Sequence, residues 1–390
     1  MSTATTATPL GQLTEEEAAL KDMVARFAQE HIKPKVHAMD EAKKMDPVLI
    51  KQLFEQGIMG IETPEALGGS GMSFLSAIVA IEELAKVDAS VSVCVDVQNT
   101  LVNNLFKFYA NDDVKSRYLP KLAKQSVGCF CLSESGSGSD AFALATRAQD
   151  LGKEGFKING SKAWITNGGE ADIFIVMANL DPSKGYKGIT SFVLERGMKG
   201  LEVHKSENKL GIRASSTTPI TFTDVVVPRA NLLGEIGKGY KYAIEILNEG
   251  RIGIGAQMVG LAAGAWRHAA RYAKERKQFG KPLAEFQAIQ FQVAEMAVEI
   301  EAARNLTYNA ARVKMNGGTF VKEAAMAKYY SSQVAKRVST TCVELMGGVG
   351  FTKDMPQEKF YRDSIIGSIY EGTSNIQLQT IAKLALSEFK

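Results

Sequence analysis

The sequence predicts a mainly α-helical protein with a β-rich middle domain, because the spacing of its apolar residues changes twice along the chain. Apolar residues recur at three- and four-residue intervals in the first part, alternate with a period of two in the middle part, and return to helical spacing afterwards. A length of 390 residues also exceeds what one hydrophobic core usually serves. We therefore expect a disordered tail at 1–13, an N-terminal helical domain at 14–127, a β-barrel-like domain at 128–236 and a C-terminal four-helix bundle at 237–390.

Composition and charge exclude several classes of protein. The 46 basic and 43 acidic residues leave a net charge of +3, which is too balanced to predict binding to nucleic acid. Apolar residues make up 45% of the chain, yet no uninterrupted apolar run approaches the roughly 18 residues that span a bilayer. We therefore expect no nucleic-acid partner and no membrane span.

The four cysteines and four histidines show no metal-ligand spacing, so we expect no metal. Cys129 and Cys131 alternate along a predicted strand and are expected to share one buried face, as in a reducing compartment. Residues 1–9 contain neither arginine nor an apolar segment, so no targeting segment is visible.

Start and stop signals place the N-terminal helices. Residues 14–17, Thr-Glu-Glu-Glu, match a capping box, and Pro34 is expected to end the helix that follows. Asp46 and Pro47 are expected to begin the next helix, since an aspartate N-cap followed by proline favours a first turn. Further helical spacing covers 74–86 and 114–122.

In the middle part, short apolar runs are separated by Gly, Asp, Pro and Asn. Phe156–Ile158 and Ala163–Ile165 flank Asn159-Gly160, a dipeptide that favours a primed turn, so we expect a β-hairpin here. Further strands are expected at 173–177, 189–194 and 220–227, which together suggest a small sandwich or barrel.

The last part predicts a helix bundle because long periodic runs are joined by short links. The order helical, β, helical is not a βαβ alternation and argues against a Rossmann domain. The four predicted helices cover 240–276, 286–315, 320–346 and 376–389.

Glu371 is the strongest candidate for a catalytic residue. It lies between an aromatic residue and a glycine, with apolar residues on both sides of the segment 369–377. Such surroundings desolvate a carboxyl group and raise its pKa, which makes it a better base near neutral pH. Thr373 and Asn375 add polar groups for a ligand. A glutamate that only interacts with a helix terminus would give the same local pattern.

A second segment, 132–140, alternates serine and glycine as Ser135 to Ser139. Such a loop lets backbone N–H groups approach an anion or a polar ring edge. It matches neither the Rossmann fingerprint nor the P-loop, and taken by itself it is better explained as a flexible turn.

These two segments, in this order and at this separation, resemble the acyl-CoA dehydrogenase family. The resemblance covers residues 14–389 and is greatest to the short/branched-chain members that act on 2-methylbutanoyl-CoA. It rests further on Tyr186–Phe192, Gly239–Ile244 and Asn248–Ile254.

The resemblance implies one FAD per subunit of a homotetramer and suggests the residues that hold it. Trp164 and Thr166 would back the flavin ring, and Arg276 would reach the pyrophosphate from a neighbouring subunit. Taken alone, an indole on a strand is more often a core residue, and an arginine that ends a helix more often interacts with its dipole. The implied cofactor residues are Phe130, Leu132, Ser133, Ser139, Trp164, Ile165, Thr166, Arg276, Gln278, Phe279, Gln287, Glu344, Gly347, Gly348, Thr373 and Asn375.

The resemblance also implies the reaction. Glu371 would remove the proton α to a thioester carbonyl while the β-carbon passes a hydride to flavin N5, giving a trans-2-enoyl-CoA in the catabolism of fatty acids or branched-chain amino acids. Electrons would pass to an electron-transfer flavoprotein. The implied substrate residues are Ser139, Tyr186, Tyr240, Asn248, Glu249, Gly250 and Arg251.

Two other functions stay open from the sequence. An acyl-CoA oxidase would perform the same half-reaction with oxygen as acceptor, and a flavin-free acyl-CoA-binding scaffold would need no base. Some family members carry the base next to the position of Arg251, where this chain has Gly250, which cannot act as one. The resemblance implies the mitochondrial matrix if the source is eukaryotic and the cytoplasm if it is bacterial.

Overall fold

The computed structural model describes residues 9–389, so most of the predicted tail at 1–13 lies outside the described residues. Within that range, seven α-helices are followed by an eight-stranded sheet and then by five α-helices. The predicted fold class, helical at both ends with a β domain between, is confirmed. None of the described helices combines the length and the apolarity that a membrane crossing requires.

The N-terminal helices begin at the predicted signals. The Thr14 hydroxyl accepts a hydrogen bond from the Glu17 backbone N–H at 3.2 Å, and the Thr14 N–H donates to the Glu17 carboxylate at 2.9 Å, which completes a capping box. Asp46 caps a later helix by accepting the Val48 backbone N–H at 2.8 Å. The seven helices are α1 (Glu15–Phe27), α2 (Val36–Ala42), α3 (Pro47–Glu55), α4 (Phe74–Ala85), α5 (Ala89–Asp96), α6 (Asn104–Tyr109) and α7 (Asp112–Lys124).

The prediction that Pro34 ends the first helix was wrong. Helix α1 stops at Phe27, and a π-helical turn at Ala28–Ile32 and a 3₁₀ turn at Lys33–Lys35 lead the chain directly into α2. Proline is accepted at the start of a 3₁₀ turn because an N–H there would have no intrahelical partner. Pro34 therefore redirects the helical path without ending it.

A helical segment at 89–109, buried throughout 89–106, escaped prediction. Helix α5 continues through a π-helical stretch, Val97–Asn103, into α6, and every residue of that stretch is buried. A helix that is covered on all sides carries no amphipathic pattern. Its polar residues bond to neighbouring backbone instead: the Asn99 amide donates to the Ile58 carbonyl at 2.9 Å and the Asn103 amide to the Met59 carbonyl at 2.8 Å.

The β domain is a single sheet in the order β6-β7-β3-β2-β4-β5-β8, with β1 paired to β4. Cys129 and Cys131 lie side by side in its core, as expected, with both side chains buried. The strands are β1 (Gly128–Cys131), β2 (Arg147–Asp150), β3 (Phe156–Thr166), β4 (Ile173–Asn179), β5 (Ile189–Glu195), β6 (Leu201–Val203), β7 (Thr217–Val227) and β8 (Leu232–Leu233).

The predicted hairpin at Asn159-Gly160 was wrong, because β3 runs straight through this dipeptide. The register against β7 shifts between Ile158 and Gly160, which is the mark of a β-bulge. The Asn159 side chain pairs with Asp224 of β7, donating to its carboxylate at 3.0 Å and accepting its N–H at 2.8 Å. The Asn159-Gly160 dipeptide therefore lies at a β-bulge and not in a β-turn.

Strand β4 connects the β domain to the helices because it is buried on both faces. Its odd-numbered side chains, Ile173, Ile175 and Met177, join the core shared with the helices, whereas Phe174 and Val176 join the core of the sheet. Such burial on both sides gives a continuous apolar run in place of alternation. The strand thereby fixes the sheet against the helical parts.

The C-terminal helices match the four predicted ones to within three residues at each end. Helix α10 packs against α8, α9 and α12, and α8 also packs against α4 of the N-terminal part. Helix α11 is an additional short element, and a small hairpin of β9 (Lys277–Gln278) and β10 (Lys281–Pro282) follows α8. The helices are α8 (Gly239–Glu275), α9 (Gln287–Met315), α10 (Val321–Met346), α11 (Gln357–Ser364) and α12 (Ser374–Leu386).

A buried ion cluster joins the N-terminal and C-terminal helices. The Glu82 carboxylate of α4 accepts hydrogen bonds from Arg304 Nε and the Tyr308 hydroxyl of α9, each at 3.0 Å, and lies 3.2 Å from Lys86 Nζ. These charges hold the pKa of Glu82 below its usual value despite burial. Loss of any partner would leave part of the buried negative charge uncompensated, which is energetically costly. The cluster therefore fixes α4 against α9.

The close approach of Gly160 to Thr146, next to the β-bulge, can be tested by Gly160→Ala. Gly160 has φ +145°, and an added Cβ would lie 2.7 Å from Thr146 Cα, so we expect the free energy of unfolding to fall by about 2 kcal/mol or more. Gly136→Ala is the matched control, because nothing lies within 4 Å of its Cβ position, and it should change stability by no more than about 0.5 kcal/mol. Equal denaturation midpoints for the two variants would contradict the close approach of Gly160 to Thr146.

Candidate active site

Glu371 occupies a left-handed turn just before α12. Its φ is +51° and that of Gly372 is +83°, a conformation that costs a residue with a side chain about 1–3 kcal/mol. Two side chains hold this turn: Gln377 Nε2 donates to the Glu371 carbonyl at 3.0 Å and to the Gly372 carbonyl at 2.9 Å, and Lys328 Nζ donates to the Gly372 carbonyl at 2.6 Å. The surrounding helices therefore impose the strained turn.

The carboxylate of Glu371 is directed into the protein. Its Oε2 atom is buried and has no hydrogen-bond partner among the described residues. Burial raises the pKa of Glu371 to about 7, and the positive charges of Arg251 and Lys328 oppose that rise. A carboxyl group with this pKa can accept and release a proton at neutral pH, as the sequence analysis expected.

Helix α8 provides the space for this carboxylate at Gly250. A Cβ on residue 250 would lie 3.0 Å from Glu371 Oε2 and 2.8 Å from Leu101 Cδ2. A longer side chain at position 250 and the observed Glu371 side chain would therefore compete for one space. The next residue, Arg251, donates from Nη1 to the Asn248 side-chain oxygen at 2.8 Å, while its buried Nε has no partner among the described residues.

Glu249 faces a different region, although it precedes Gly250 directly. Its carboxylate accepts a hydrogen bond from the Asn104 amide at 2.7 Å and lies 3.2 Å from Lys314 Nζ. Burial raises the pKa of Glu249 to about 7, against the effect of Lys314. Glu249 therefore belongs to a polar cluster on another side of α8, and its side chain does not join the group around Glu371.

Asp96 is a second buried carboxyl group near Glu371, and the sequence analysis missed it. It is 1% exposed, its Oδ1 lies 2.8 Å from the Thr100 hydroxyl, and a Cβ on Gly253 would lie only 1.9 Å from that oxygen. Burial and the charge of Glu371 raise the pKa of Asp96 well above its usual value. An aspartate within the apolar run Val93 to Val97 was the available signal.

Tyr186 and Tyr240 meet edge to face, with their ring centroids 5.0 Å apart. Beside them is an open cavity of about 250 Å³ whose lining includes Lys184, Lys187 and Lys238. Lys184 also pairs with Asp181 at 2.9 Å. Two aromatic rings next to three ammonium groups form a site suited to an anionic ligand with an apolar part.

Trp164 presents its indole ring to solvent beside the chain at Ser133. The Ala163 N–H donates to the Ser133 carbonyl at 2.9 Å, which brings β3 and the segment after β1 together. Trp164 has φ +64° and is 62% exposed, whereas the next residue, Ile165, is buried in the core of the sheet. Phe130 and Leu132 are buried in the separate core that the sheet shares with the helices. An exposed indole offers a flat surface for an aromatic ring.

The Ser135–Ser139 loop is held at its base by Glu134. This carboxylate accepts the backbone N–H groups of Ala145 at 2.6 Å and Thr146 at 3.0 Å, and Lys162 Nζ at 2.8 Å. Lys162 also donates to the Leu132 carbonyl at 2.9 Å. Sequence analysis missed both members of this buried ion pair, although Glu134 lies inside the serine- and glycine-rich segment.

The remaining predicted cofactor residues lie elsewhere on the chain. No hydrogen bond or ion pair within residues 9–389 joins them to Glu371. Thr373 is close to Glu371 only along the chain, and its hydroxyl caps α12. Phe279 is 94% exposed in the hairpin after α8. Those that are exposed in a single chain are Ser139, Arg276, Gln278, Phe279, Gln287, Glu344, Gly347, Gly348 and Asn375.

Comparison with family models identifies the chain. The models described as the acyl-CoA dehydrogenase N-terminal, middle and C-terminal domains match residues 14–126, 129–225 and 237–386. The chain belongs to the acyl-CoA dehydrogenase family.

Two curated relatives are similar over almost the whole chain. The probable short/branched chain specific acyl-CoA dehydrogenase of Dictyostelium discoideum is 56% identical over 98% of this chain and 92% of its own length. The mitochondrial short/branched chain specific acyl-CoA dehydrogenase of Rattus norvegicus is 54% identical over 98% of this chain and 88% of its own length. The resemblance inferred from the sequence is confirmed.

Solved structures agree with this family. Butyryl-CoA dehydrogenase from Megasphaera elsdenii superimposes with a TM-score of 0.94 at 41% identity, covering 96% of this chain and 99% of its own. Glutaryl-CoA dehydrogenase from Mycobacterium smegmatis, solved with FADH2, gives a TM-score of 0.91 at 28% identity, covering 96% and 95%. The acyl-CoA dehydrogenase fold of this chain is thereby shown independently of its sequence motifs.

The support of the serine- and glycine-rich loop can be tested by Lys162→Met. Removing the ammonium would leave Glu134 buried without its charged partner, so we expect the free energy of unfolding to fall by about 3 kcal/mol. Lys157→Met on the same strand is the control, because Lys157 lies 3.7 Å from an exposed Asp224 carboxylate. This variant should lower the free energy of unfolding by no more than about 0.5 kcal/mol. Wild-type stability in Lys162→Met, measured by denaturant titration, would contradict this role.

Proposed function

We propose that this protein is an FAD-dependent dehydrogenase that converts a short or branched-chain acyl-CoA into its trans-2-enoyl-CoA. The observation that carries the proposal is the buried Glu371 carboxylate, whose Oε2 has no hydrogen-bond partner among the described residues and whose pKa is raised to about 7. The short/branched-chain specificity named for the two curated relatives supports the substrate class.

Glu371 is the proposed base for the α-proton. A C–H group is a poor hydrogen-bond donor, so an unpartnered oxygen suits proton removal from carbon better than one already bonded. The backbone N–H of Glu371 also has no acceptor among the described residues, which leaves it available for the thioester carbonyl. A donor at that oxygen would stabilise the negative charge that develops as the proton leaves.

Residues of the β domain fit the flavin ring system. Trp164 offers an exposed face, Ser133 and Thr166 offer hydroxyl groups, and the loop glycines Gly136 and Gly138 have open space around their Cβ positions. FAD, when bound, would accept the hydride that leaves the β-carbon. The α-proton and the β-hydride together account for the two hydrogens lost as the double bond forms.

A second copy of the chain is proposed to complete the cofactor site. Arg276 is exposed and has no carboxylate partner within residues 9–389, and the strongly exposed Phe279 lies three residues away. A guanidinium suits a pyrophosphate because its donors match phosphate oxygens. We place Arg276, Gln278, Phe279 and Gln287, with Glu344, Gly347 and Gly348, against the dinucleotide of a neighbouring subunit in a homotetramer.

The acyl-CoA is proposed to run from Glu371 along α8 to the lysine-lined cavity. Asn248, Gly250 and Arg251 lie next to the base, and Tyr186 and Tyr240 adjoin the cavity. Lysine ammonium groups there would meet the phosphates of coenzyme A. Ser139 is proposed to contact both ligands, and the Glu249 side chain has no role in this arrangement.

Electrons are proposed to leave through an electron-transfer flavoprotein. The location would be the mitochondrial matrix in a eukaryote, in keeping with the mitochondrial rat relative, and the cytoplasm in a bacterium.

The deciding experiment follows flavin absorbance under nitrogen while 2-methylbutanoyl-CoA is added to the purified protein. We expect bleaching that admitted air does not rapidly reverse. Rapid reversal by air would indicate an oxidase instead. A protein without flavin that FAD cannot reconstitute would indicate a non-catalytic scaffold, and stronger bleaching by butanoyl-CoA or isobutanoyl-CoA would change the preferred acyl chain.

Glu371→Gln should keep the yellow flavin and bind acyl-CoA but lose flavin reduction by about 10³-fold. Because only the carboxylate form can accept the proton, the wild-type rate of reduction at limiting substrate should rise with pH through a midpoint near 7. Anaerobic stopped-flow from pH 5.5 to 9 measures both quantities.

Glu249→Gln is the matched control for this titration, since the pKa of Glu249 is also raised to about 7 but its carboxylate faces away from Glu371. The pH midpoint should persist in Glu249→Gln. If it disappears there and persists in Glu371→Gln, the base has been assigned wrongly.

A further inference from the structure

Lys328 of α10 is a buried lysine directly behind the proposed base. Its side chain is fully buried, and its ammonium donates to the Gly372 carbonyl at 2.6 Å. No carboxylate forms an ion pair with it within residues 9–389. Lysine is almost never fully buried unless it is paired, so this position calls for a specific role.

The Gly372 carbonyl is the point at which two helices hold the Glu371 turn. It accepts hydrogen bonds from Lys328 Nζ of α10 and from Gln377 Nε2 of α12, and Gln377 also donates to the Glu371 carbonyl. Gln377 is itself buried. Both donors therefore act on the left-handed residues 371 and 372, yet only Lys328 can carry a charge.

We propose that Lys328 is a positioning residue for the base: its ammonium fixes the left-handed Glu371–Gly372 turn through the Gly372 carbonyl, and its charge stabilises the carboxylate form of Glu371. The proposal rests on the proposed function, in which Glu371 accepts the α-proton. Gln377 also fixes the turn through hydrogen bonds, but it is uncharged and cannot stabilise the carboxylate form of Glu371.

Burial and the neighbouring charges have opposite effects on the pKa of Glu371. Arg251 of α8 and Lys328 both favour the ionised form of Glu371. Burial lowers the pKa of Lys328 to about 7, and ionised Glu371 opposes this fall while Arg251 adds to it. Asp96 is a further buried carboxyl group, and burial and the charge of Glu371 raise its pKa well above the usual value. Tyr370, next to the base, is neutral and donates its hydroxyl proton to Gln257.

The test compares two variants that remove different parts of this arrangement. Lys328→Met removes the bond and the charge, whereas Gln377→Leu removes only hydrogen bonds. Both should slow anaerobic flavin reduction by acyl-CoA about tenfold or more, because the carboxylate loses its fixed position. Only Lys328→Met should raise the pH midpoint of reduction, by about one unit or more, since the carboxylate loses a nearby opposite charge.

Lys328→Arg provides the rescue, because it keeps a positive charge at the same site. Its pH midpoint should return towards the wild-type value even if the rate stays low. A readout independent of turnover is the carboxylic-acid infrared band that disappears in Glu371→Gln, titrated against pH in each variant. Flavin content and thermal unfolding of each variant establish that it is folded.

The outcomes separate this proposal from the proposed function. If acyl-CoA does not reduce the wild-type flavin, the function itself is wrong. If the wild type is reduced but Lys328→Met and Gln377→Leu share the wild-type midpoint, Lys328 is only structural and the proposal is overturned. Should Lys328→Met fail to fold, an upward shift of the infrared titration in Gln377→Leu would equally overturn it, since that variant keeps the charge.

Discussion

The left-handed turn at Glu371 is the constraint on which the candidate site depends. A residue with a side chain reaches φ +51° only when its surroundings impose it. Here α10 contributes Lys328, α12 contributes Gln377, and α8 contributes the space at Gly250. Three helices must therefore pack correctly before the carboxylate is placed, so the position of the proposed base depends on the whole C-terminal bundle.

Buried ion pairs connect the N-terminal helices to the C-terminal bundle and hold the serine- and glycine-rich loop on the β domain. Glu82 joins α4 to α9 through Arg304, and Glu134 joins the serine- and glycine-rich loop to β3 through Lys162. Each pair lies away from solvent and is satisfied by further hydrogen bonds. Because an unpaired buried charge is far more costly than a lost apolar contact, such pairs admit few alternative arrangements of the elements they join.

Glu249 and Glu371 illustrate why a shifted pKa does not identify a catalytic residue by itself. Burial raises the pKa of both to about 7. The Glu249 carboxylate is bonded to Asn104 and lies beside Lys314, whereas Oε2 of Glu371 has no partner among the described residues. Orientation separates them: one carboxylate is occupied by the fold, and the other is available to a ligand.

The sequence alone indicated the order of the domains, the four long C-terminal helices and Glu371 as the candidate base, because periodicity, capping residues and local composition are properties of neighbours along the chain. Only the tertiary structure decided what Asn159-Gly160 does, where Glu249 is directed and that Lys328 and Asp96 lie near Glu371. The physical reason is that bulges, buried all-round helices and charge pairs arise from contacts between segments far apart in sequence. Such contacts leave no periodic pattern in either partner.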